Sequence, residues 1–538
     1  MPKTSPKKTA RRRPVQLTQD LTRARFDKLA KPLRTQLLGL QDQLKAEDFS
    51  VLLLFVGSAM AGKNESLNLI AEWLDPRWII TRAYGPPTAE ESQRPEYWRY
   101  WRDLPPKGQI GLFAGSWYHK PVHDLANGEI GRRKFFRALD EVRAFERTLA
   151  ADGTLILKFW LHMDKAALKK RMKALEKDNA NSWRVGDLDW QHLKQHSKLR
   201  KAHERAANYT DAGDGRWIRV DGNDPRRRAL TILKTVRDAL TAHIKARRKR
   251  RRQVLKAAQI MDRIRRDRLT DISANLKKLE RQSQAAAAKK PSSPGAQTGA
   301  GSGLILDRLD LSLHLGTEEY QRELKERRAD LGMRFRRQHF AGKSAIILFE
   351  GPDAAGKGGA IRRLTASMDA RDYRVIQVAA PSEEERAQHY LWRFWKHLPQ
   401  AGRLTIFDRS WYGRVLVERV EGFAQPGEWM RAYDEIVDFE RQLTSRGLVV
   451  VKFWIHISKD EQFRRFKERE TISYKKWKLT AEDWRNREKW NEYSVAVDEM
   501  VARTSTELAP WTLVEGNDKK FARIKVMDTV CQALRRAS

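Results

Sequence analysis

The sequence predicts an α/β protein built twice over, two tandem three-layer α/β/α domains with mainly parallel sheets. Three observations carry this expectation. WRYWRDLPPKGQIGLFAGSWY from Trp98 recurs from Trp392 as WRFWKHLPQAGRLTIFDRSWY, and the same offset of 294 residues relates Gly57 to Gly351, Lys63 to Lys357, Trp190 to Trp484 and Gly222 to Gly516. A shift held over so long a stretch marks two homologous copies of one unit. Within a copy, apolar runs alternate with amphipathic stretches, and that β-α-β order implies a parallel sheet with helices on both faces. The glycine-rich and charged motifs fall at the carboxyl ends of the predicted strands, where open parallel sheets bind ligands.

In chain order, residues 1–18 are expected to be a basic, disordered tail, and residues 19–282 the first copy. The segment 245–268 holds twelve basic residues against Asp262 and Asp267. Its apolar Leu255, Ile260, Met261 and Ile264 recur at roughly helical spacing, so it reads as a solvated basic extension of the last helix, with a polyanion-binding arm as the second reading. Residues 283–303 (SQAAAAKKPSSPGAQTGAGSG) have the composition of a flexible linker. The second copy covers 304–538. In it Ser344–Glu350 (SAIILFE), Arg374–Val378, Leu404–Phe407 and Leu448–Ile455 are predicted strands.

The chain carries 106 Lys+Arg against 69 Asp+Glu, a net charge of +37. The tail and the segment 245–268 hold only part of that excess, so the folded body is expected to face a polyanion: nucleic acid, an anionic surface or inorganic polyphosphate. No apolar run approaches the ~20 residues that span a bilayer. The basic N-terminus has no apolar stretch behind it, so no secretory signal is expected. A single cysteine, Cys531, excludes an intrachain disulfide framework and multi-thiolate zinc sites. A reducing, cytoplasmic location follows as the expectation.

Three motifs in the second copy carry chemistry. Gly351-Pro-Asp-Ala-Ala-Gly-Lys-Gly-Gly359 fits G-x-x-x-x-G-K between a predicted strand and a predicted helix. Its backbone N–H groups can cradle phosphate while Lys357 neutralises charge. Gly358 stands where such a loop usually has Ser or Thr, which removes one magnesium ligand and leaves Asp353 as a carboxylate substitute. In Phe407-Asp-Arg-Ser-Trp-Tyr412 a strand ends in Asp408, placed to hold magnesium, beside Arg409, placed to grip a phosphoryl group in bidentate fashion. The basic run Arg464–Lys478 (RRFKERETISYKKWK), ahead of a helix signal at Ala481, reads as a lid that closes over phosphates and excludes water.

Together GPDAAGKGG, FDRSWYGR with Glu418 and Glu421 after it, KFWIHIS, the basic run and WTLVEGNDK resemble the polyphosphate kinase 2 family, with its P-loop kinase-like fold and helical lid. The resemblance covers both copies. A fused pair resembles the class II members, polyphosphate:AMP phosphotransferases, which move the terminal phosphoryl group of polyphosphate to AMP and yield ADP. It implies that Asp353 orients the acceptor phosphate and that Lys357, with Gly351, Gly356, Gly358, Gly359 and Arg414, binds phosphates. It implies Mg2+ (or Mn2+) on Asp408 and Asp353, charge stabilisation by Arg409 and Arg469, polyphosphate held by Lys475, Lys476 and Lys478, and Glu418 facing the nucleotide. The implied partners are inorganic polyphosphate and AMP/ADP; neither a membrane nor nucleic acid is expected, and a homo-oligomer, a dimer, is. The competing readings are a polyphosphate-binding regulatory protein and a nucleoside-monophosphate kinase with ATP as donor.

The first copy departs from the pattern where chemistry is needed. Ala59 replaces the loop aspartate, Asn64 and Glu65 the two glycines after Lys63, Ala114 and Gly115 the Asp-Arg pair, and Leu175 the lid arginine. Trp98, Trp101, Pro105, Ser116, Trp117, Trp160 and Trp190 are retained, which reads as a catalytically degenerate domain kept for folding and packing.

Overall fold

The computed structural model describes residues 21–179, 182–211, 215–286, 303–340, 342–471 and 481–537. The N-terminal tail, most of the linker, and Lys475, Lys476 and Lys478 lie outside those residues. Each copy is a five-stranded parallel sheet with helices on both faces. The strands are β1 (Val51–Gly57), β2 (Ile79–Ala83), β3 (Ile110–Ala114), β4 (Leu155–His162) and β5 (Trp217–Asp221) in the first copy. The second has β6 (Ala345–Glu350), β7 (Tyr373–Gln377), β8 (Leu404–Asp408), β9 (Val449–His456) and β10 (Trp511–Glu515). The sheet orders are β2-β3-β1-β4-β5 and β7-β8-β6-β9-β10, one topology twice. Register repeats as well: Val51 pairs with Ile110 and Leu155, and Ala345 with Leu404 and Val449.

The central strands β1 (VLLLFVG) and β6 (AIILFE) are apolar almost throughout because both faces are covered. The four strands predicted in the second copy appear within a residue of their expected ends; β10, an edge strand, is additional. The first copy's last helix runs unbroken over Pro225–Ala286. It passes through the basic segment and four residues beyond the expected boundary at 282, so helix takes up the first part of the expected linker.

Each copy has its own core on one face of its sheet, and a third apolar cluster is continuous across both. That cluster takes the retained Trp98, Trp101 and Trp117, whereas Trp190 packs against the first copy's own core. Trp101 stacks on Trp395 with ring centroids 5.6 Å apart, and the contacts around them are reciprocal. Lys107 N donates to Ala387 O at 2.8 Å, and its counterpart Ala401 N donates to Gln93 O at 3.0 Å. Gln388 Nε2 donates to Leu104 O, and Arg94 Nη1 to Leu398 O. The same patch on each copy meets itself, the isologous arrangement of a two-fold dimer, here closed within one chain.

Candidate functional site

In the second copy the site is built at the carboxyl ends of β6 and β8, which are hydrogen-bonded neighbours with Phe349 opposite Asp408. After Glu350 the chain turns sharply. Gly351 has φ +145°, and a Cβ there would lie 2.4 Å from Ile455 O, so only glycine fits. Ala354 and Gly356 also take positive φ, and Gly356 leads into the helix Lys357–Thr365. The loop therefore ends with its N–H groups at a helix N-terminus.

Lys357 is buried, and its Nζ donates to Gly351 O at 2.7 Å and Pro352 O at 3.1 Å. Burial lowers its pKa and the nearby Arg409 charge adds to that, while Asp353, Asp408 and Glu350 oppose. Arg409 Nη2 donates to Asp353 Oδ1 at 2.6 Å, and Asn486 Nδ2 to Asp353 Oδ2 at 3.0 Å. Burial would raise the Asp353 pKa, but Arg409 and Lys357 outweigh it and hold the carboxyl below its usual range. Arg409 sits at φ +65°, a left-handed conformation rare for a side chain of that size.

Asp408 is half-buried at the end of β8, and although its backbone carbonyl accepts from Val378 N at 3.0 Å, its carboxylate receives no hydrogen bond or ion pair from any described residue. An unpaired carboxylate at that depth, beside Lys357 and Arg409, suits a hard cation, since magnesium commonly takes one or two carboxylates and completes its shell with water and substrate phosphates. Asp353 has both oxygens engaged, so it reaches a cation only as Arg409 or Asn486 lets go. Among the described residues no group of three or more His, Cys, Asp or Glu is placed to hold a metal.

Two further groups in this site escaped the sequence reading. Glu350 is buried at the end of β6 and accepts from Ser410 Oγ at 2.7 Å. Burial raises its pKa, against Ser410, Arg409 and Lys357. Its signal was visible, an acid closing an otherwise apolar strand. Arg465 was assigned to the lid, and here the structure corrects the expectation. Residues 464–471 belong to the helix Lys459–Thr471. Arg465 Nη1 donates to Ala354 O and Ala355 O, and its Nη2 to Gly516 O and Asn517 O. It pins the phosphate loop to the segment after β10. Arg469 follows one turn later, half-buried.

Flanking the cleft, Arg414 pairs with Glu418 at 3.1 Å and lies over the Tyr390 ring. Burial raises the Glu418 pKa against the Arg414 charge. Glu421 is held by Lys489 at 2.9 Å and Arg485 at 3.4 Å.

At the equivalent place in the first copy, Gly57 and Gly62 keep positive φ, and Lys63 opens the helix Lys63–Trp73. Between them the loop forms a 3-10 turn over Ala59–Ala61, and Met60, the counterpart of Ala354, does not adopt positive φ. Arg228 takes over the pinning: its Nη1 donates to Gly222 O at 3.0 Å and Ala61 O at 3.5 Å. Glu65 pairs with Arg171 at 2.8 Å and with Arg184.

Comparison with known proteins gives the family. The family model for polyphosphate kinase 2 matches residues 20–249 and again 314–538. The chain belongs to the polyphosphate kinase 2 family. It is 44% identical over 513 residues to a polyphosphate:AMP phosphotransferase of Pseudomonas aeruginosa PAO1, covering 95% of this chain and 96% of that protein. It is 34% identical over 522 residues to a polyphosphate:AMP phosphotransferase of Acinetobacter johnsonii, with 97% and 96% covered. A crystal structure described as a polyphosphate kinase 2 from Pseudomonas aeruginosa PA01 superposes with a TM-score of 0.79 at 40% identity over 97% of this chain and 98% of that one. The two matched regions of polyphosphate kinase 2 are the two copies found by the 294-residue repeat. No described helix is long and apolar enough to cross a membrane.

Proposed function

We infer that the protein is a polyphosphate:AMP phosphotransferase that transfers the terminal phosphoryl group of inorganic polyphosphate to AMP, giving ADP, with the second copy as the catalytic one. The similarity over nearly the full length to relatives of that activity carries the reading, and the residues around Lys357 support it.

The acceptor, a phosphate monoester with a second pKa of about 6, is mostly dianionic at neutral pH and needs no general base. Asp353, held ionised, fits an orienting role better than a proton-accepting one. Its partner Arg409 is poised to exchange the Asp353 carboxylate for the transferred phosphoryl group, where charge builds as an acceptor oxygen bonds to the terminal phosphorus and the bridging P–O bond breaks. Lys357 would move from the Gly351 and Pro352 carbonyls to phosphate oxygens. Gly351, Gly356, Gly358 and Gly359 leave the backbone open to phosphate, Arg414 adds a cation, and Glu418 borders the nucleotide's side of the cleft. Magnesium or manganese, held by Asp408 with Asp353, would neutralise phosphate charge. Arg469 with Lys475, Lys476 and Lys478 supplies the cations for the polyphosphate chain. A cytoplasmic location and a homodimer belong to this reading; the dimer would form through surfaces outside the apolar interface already closed within the chain.

The test is incubation with magnesium and AMP, with polyphosphate or ATP as donor, and chromatography of the products. ADP from AMP and polyphosphate is expected, with rates falling as salt screens the basic cleft. Equal or faster turnover with ATP as donor would make the protein a nucleoside-monophosphate kinase instead.

A further inference from the structure

The first copy's cleft differs from the second's in what it has gained as well as in what it lacks. Val56, Ala114 and Asn127 stand where the second copy has Glu350, Asp408 and Glu421, and Ala59 where it has Asp353. In exchange the first copy has His119, His123 and His192 where the second has Gly413, Val417 and Asn486. Four carboxylates are gone and three imidazoles have arrived around a loop lysine that is kept. The His119 and His123 ring centroids lie 4.0 Å apart, and those of His123 and His192 5.1 Å. The three come from two helices, His119–Asn127 and Asp187–Lys194, brought together over the phosphate loop. No described residue hydrogen-bonds to the three rings or accepts from Lys63 Nζ, whereas Lys357 is satisfied by loop carbonyls.

We propose that this cleft is a metal-free binding site for phosphoanions, with Lys63, His119, His123 and His192 as its cationic ligands. Without counterparts of Asp353, Asp408 and Glu350 the site lacks the carboxylates that would hold magnesium for phosphoryl transfer, and the same loss removes what would repel an unshielded phosphate. The loop is held in place by Arg228, and the one acid added to it, Glu65, is neutralised by Arg171 and Arg184. This assignment is independent of the chemistry assigned to the second copy.

The groups facing the rings give the site a pH dependence of definite sign. Burial foremost, with Lys63 and the other histidines adding to it, lowers the pKa of His119 to about 4 and of His123 to about 3. Arg99 adds to this at His119. Burial also lowers His192, against the Asp189 carboxylate. His203, behind them, is lowered to about 4 by burial and Lys63, against its bond to Leu199 O. Asp124, on the helix of His119 and His123, is paired with Lys120 at 2.5 Å. Burial first, and the neighbouring positive charges second, favour neutral imidazoles in the empty site. A bound phosphate supplies the missing counter-charge, so the imidazoles take up protons on binding and affinity rises as pH falls.

The experiment uses the full chain with Lys357→Ala, which removes the other loop lysine, in EDTA at 0.15 M salt. Binding of tripolyphosphate and of AMP is measured by calorimetry at pH 6 and pH 8. One ligand or both should bind more tightly at pH 6 with net proton uptake. Adding His123→Val and His192→Asn, the residues the second copy carries there, should weaken binding at pH 6 at least ~10-fold and flatten the pH dependence. Lys63→Gln, which leaves the rings in place, should weaken binding at both pH values. Tripolyphosphate without AMP would define a chain dock and AMP a nucleotide dock, and both support the site. Unchanged affinity and pH slope in both variants would assign the binding to the basic helix and tail and overturn the proposal, as would no binding at all.

Discussion

Lys158 and Lys452, 294 positions apart, live in the same surroundings. Each is fully buried; Lys158 Nζ donates to Glu146 at 2.8 Å, Tyr118 OH and Thr210 O, and Lys452 Nζ to Glu440 at 2.7 Å, Tyr412 OH and Thr504 O. Trp117 and Trp411 close the two networks on the same carboxylates. Beyond the strand ends, at Lys63 and Lys357, the copies part: one lysine is surrounded by imidazoles, the other by Asp353, Asp408 and Arg409. The contrast separates two kinds of buried charge, one repeated together with all its partners and one whose partners differ between the copies.

The largest effect should come from the shared network. Removing one partner of a buried ion pair strands the other, typically at a cost of about 3–5 kcal/mol. Lys158→Met and Lys452→Met should each lower stability by about that much in denaturant melts. A large loss in one copy and a negligible one in the other would break the claim that the networks are equivalent.

Next in size is Asp408→Asn, which keeps shape while removing charge from a carboxylate that no described residue pairs with directly. At least ~100-fold loss of kcat is expected, since metal and electrostatic effects supply most of phosphoryl transfer. Stability should be untouched or slightly improved. Near-normal turnover in magnesium would make Asp408 structural and erase the distinction from Ala114.

Much of this division can be read from the chain, for identifiable reasons. Strand ends were legible because an apolar run followed by glycine, Asp-Arg or histidine changes character within one residue. The degenerate loop was legible as a set of missing carboxylates. The basic run at 464–478 was not, because charge composition does not say which residue of a helix faces inward; Arg465 faces in and bonds four carbonyls. Asn486 lies in a helix of mixed charges with nothing to mark it, and Asp353 makes it a site residue. His119 and His123 share a helix at i,i+4 spacing, but His192 comes from a second helix and joins them only in the fold. The tryptophans were noticed, but sequence spacing cannot reveal that Trp101 and Trp395 stack on each other.

The Lys357 environment sharpens the comparison through pH. Burial disfavours its charged form, so its folded pKa lies below the usual lysine value; it is protonated below that pKa and neutral above it. In kcat/KM, which reports the free enzyme, activity should fall on the alkaline side at lower pH than an ordinary lysine would give. In kcat the fall should come later, because bound phosphate restores the charged form. Lys357→Arg should remove the limb from both profiles. Coincident limbs would mean that phosphate does not meet Lys357.

The smallest effect concerns one backbone position. Arg409 has φ +65° and its counterpart Gly115 φ +79°, so the turn after the strand is left-handed in both copies. A side chain in that conformation costs about 1 kcal/mol or slightly more. The first copy, with no guanidinium to present, avoids the cost with glycine. A Cβ on Gly115 would also approach Tyr84 O to 3.1 Å. Gly115→Ala should therefore destabilise the first copy by about 1–2 kcal/mol. In the second copy Arg409→Ala and Arg409→Gly both remove the ion pair to Asp353 and should both abolish ADP formation. Their difference isolates the backbone, and the glycine variant should be the more stable by about 1 kcal/mol. Preference for glycine in both copies would identify strain at Arg409 as the cost of aiming its side chain at the phosphates. Equal stability of the two Arg409 variants would show that the second copy relaxes this turn and that the strain is absent.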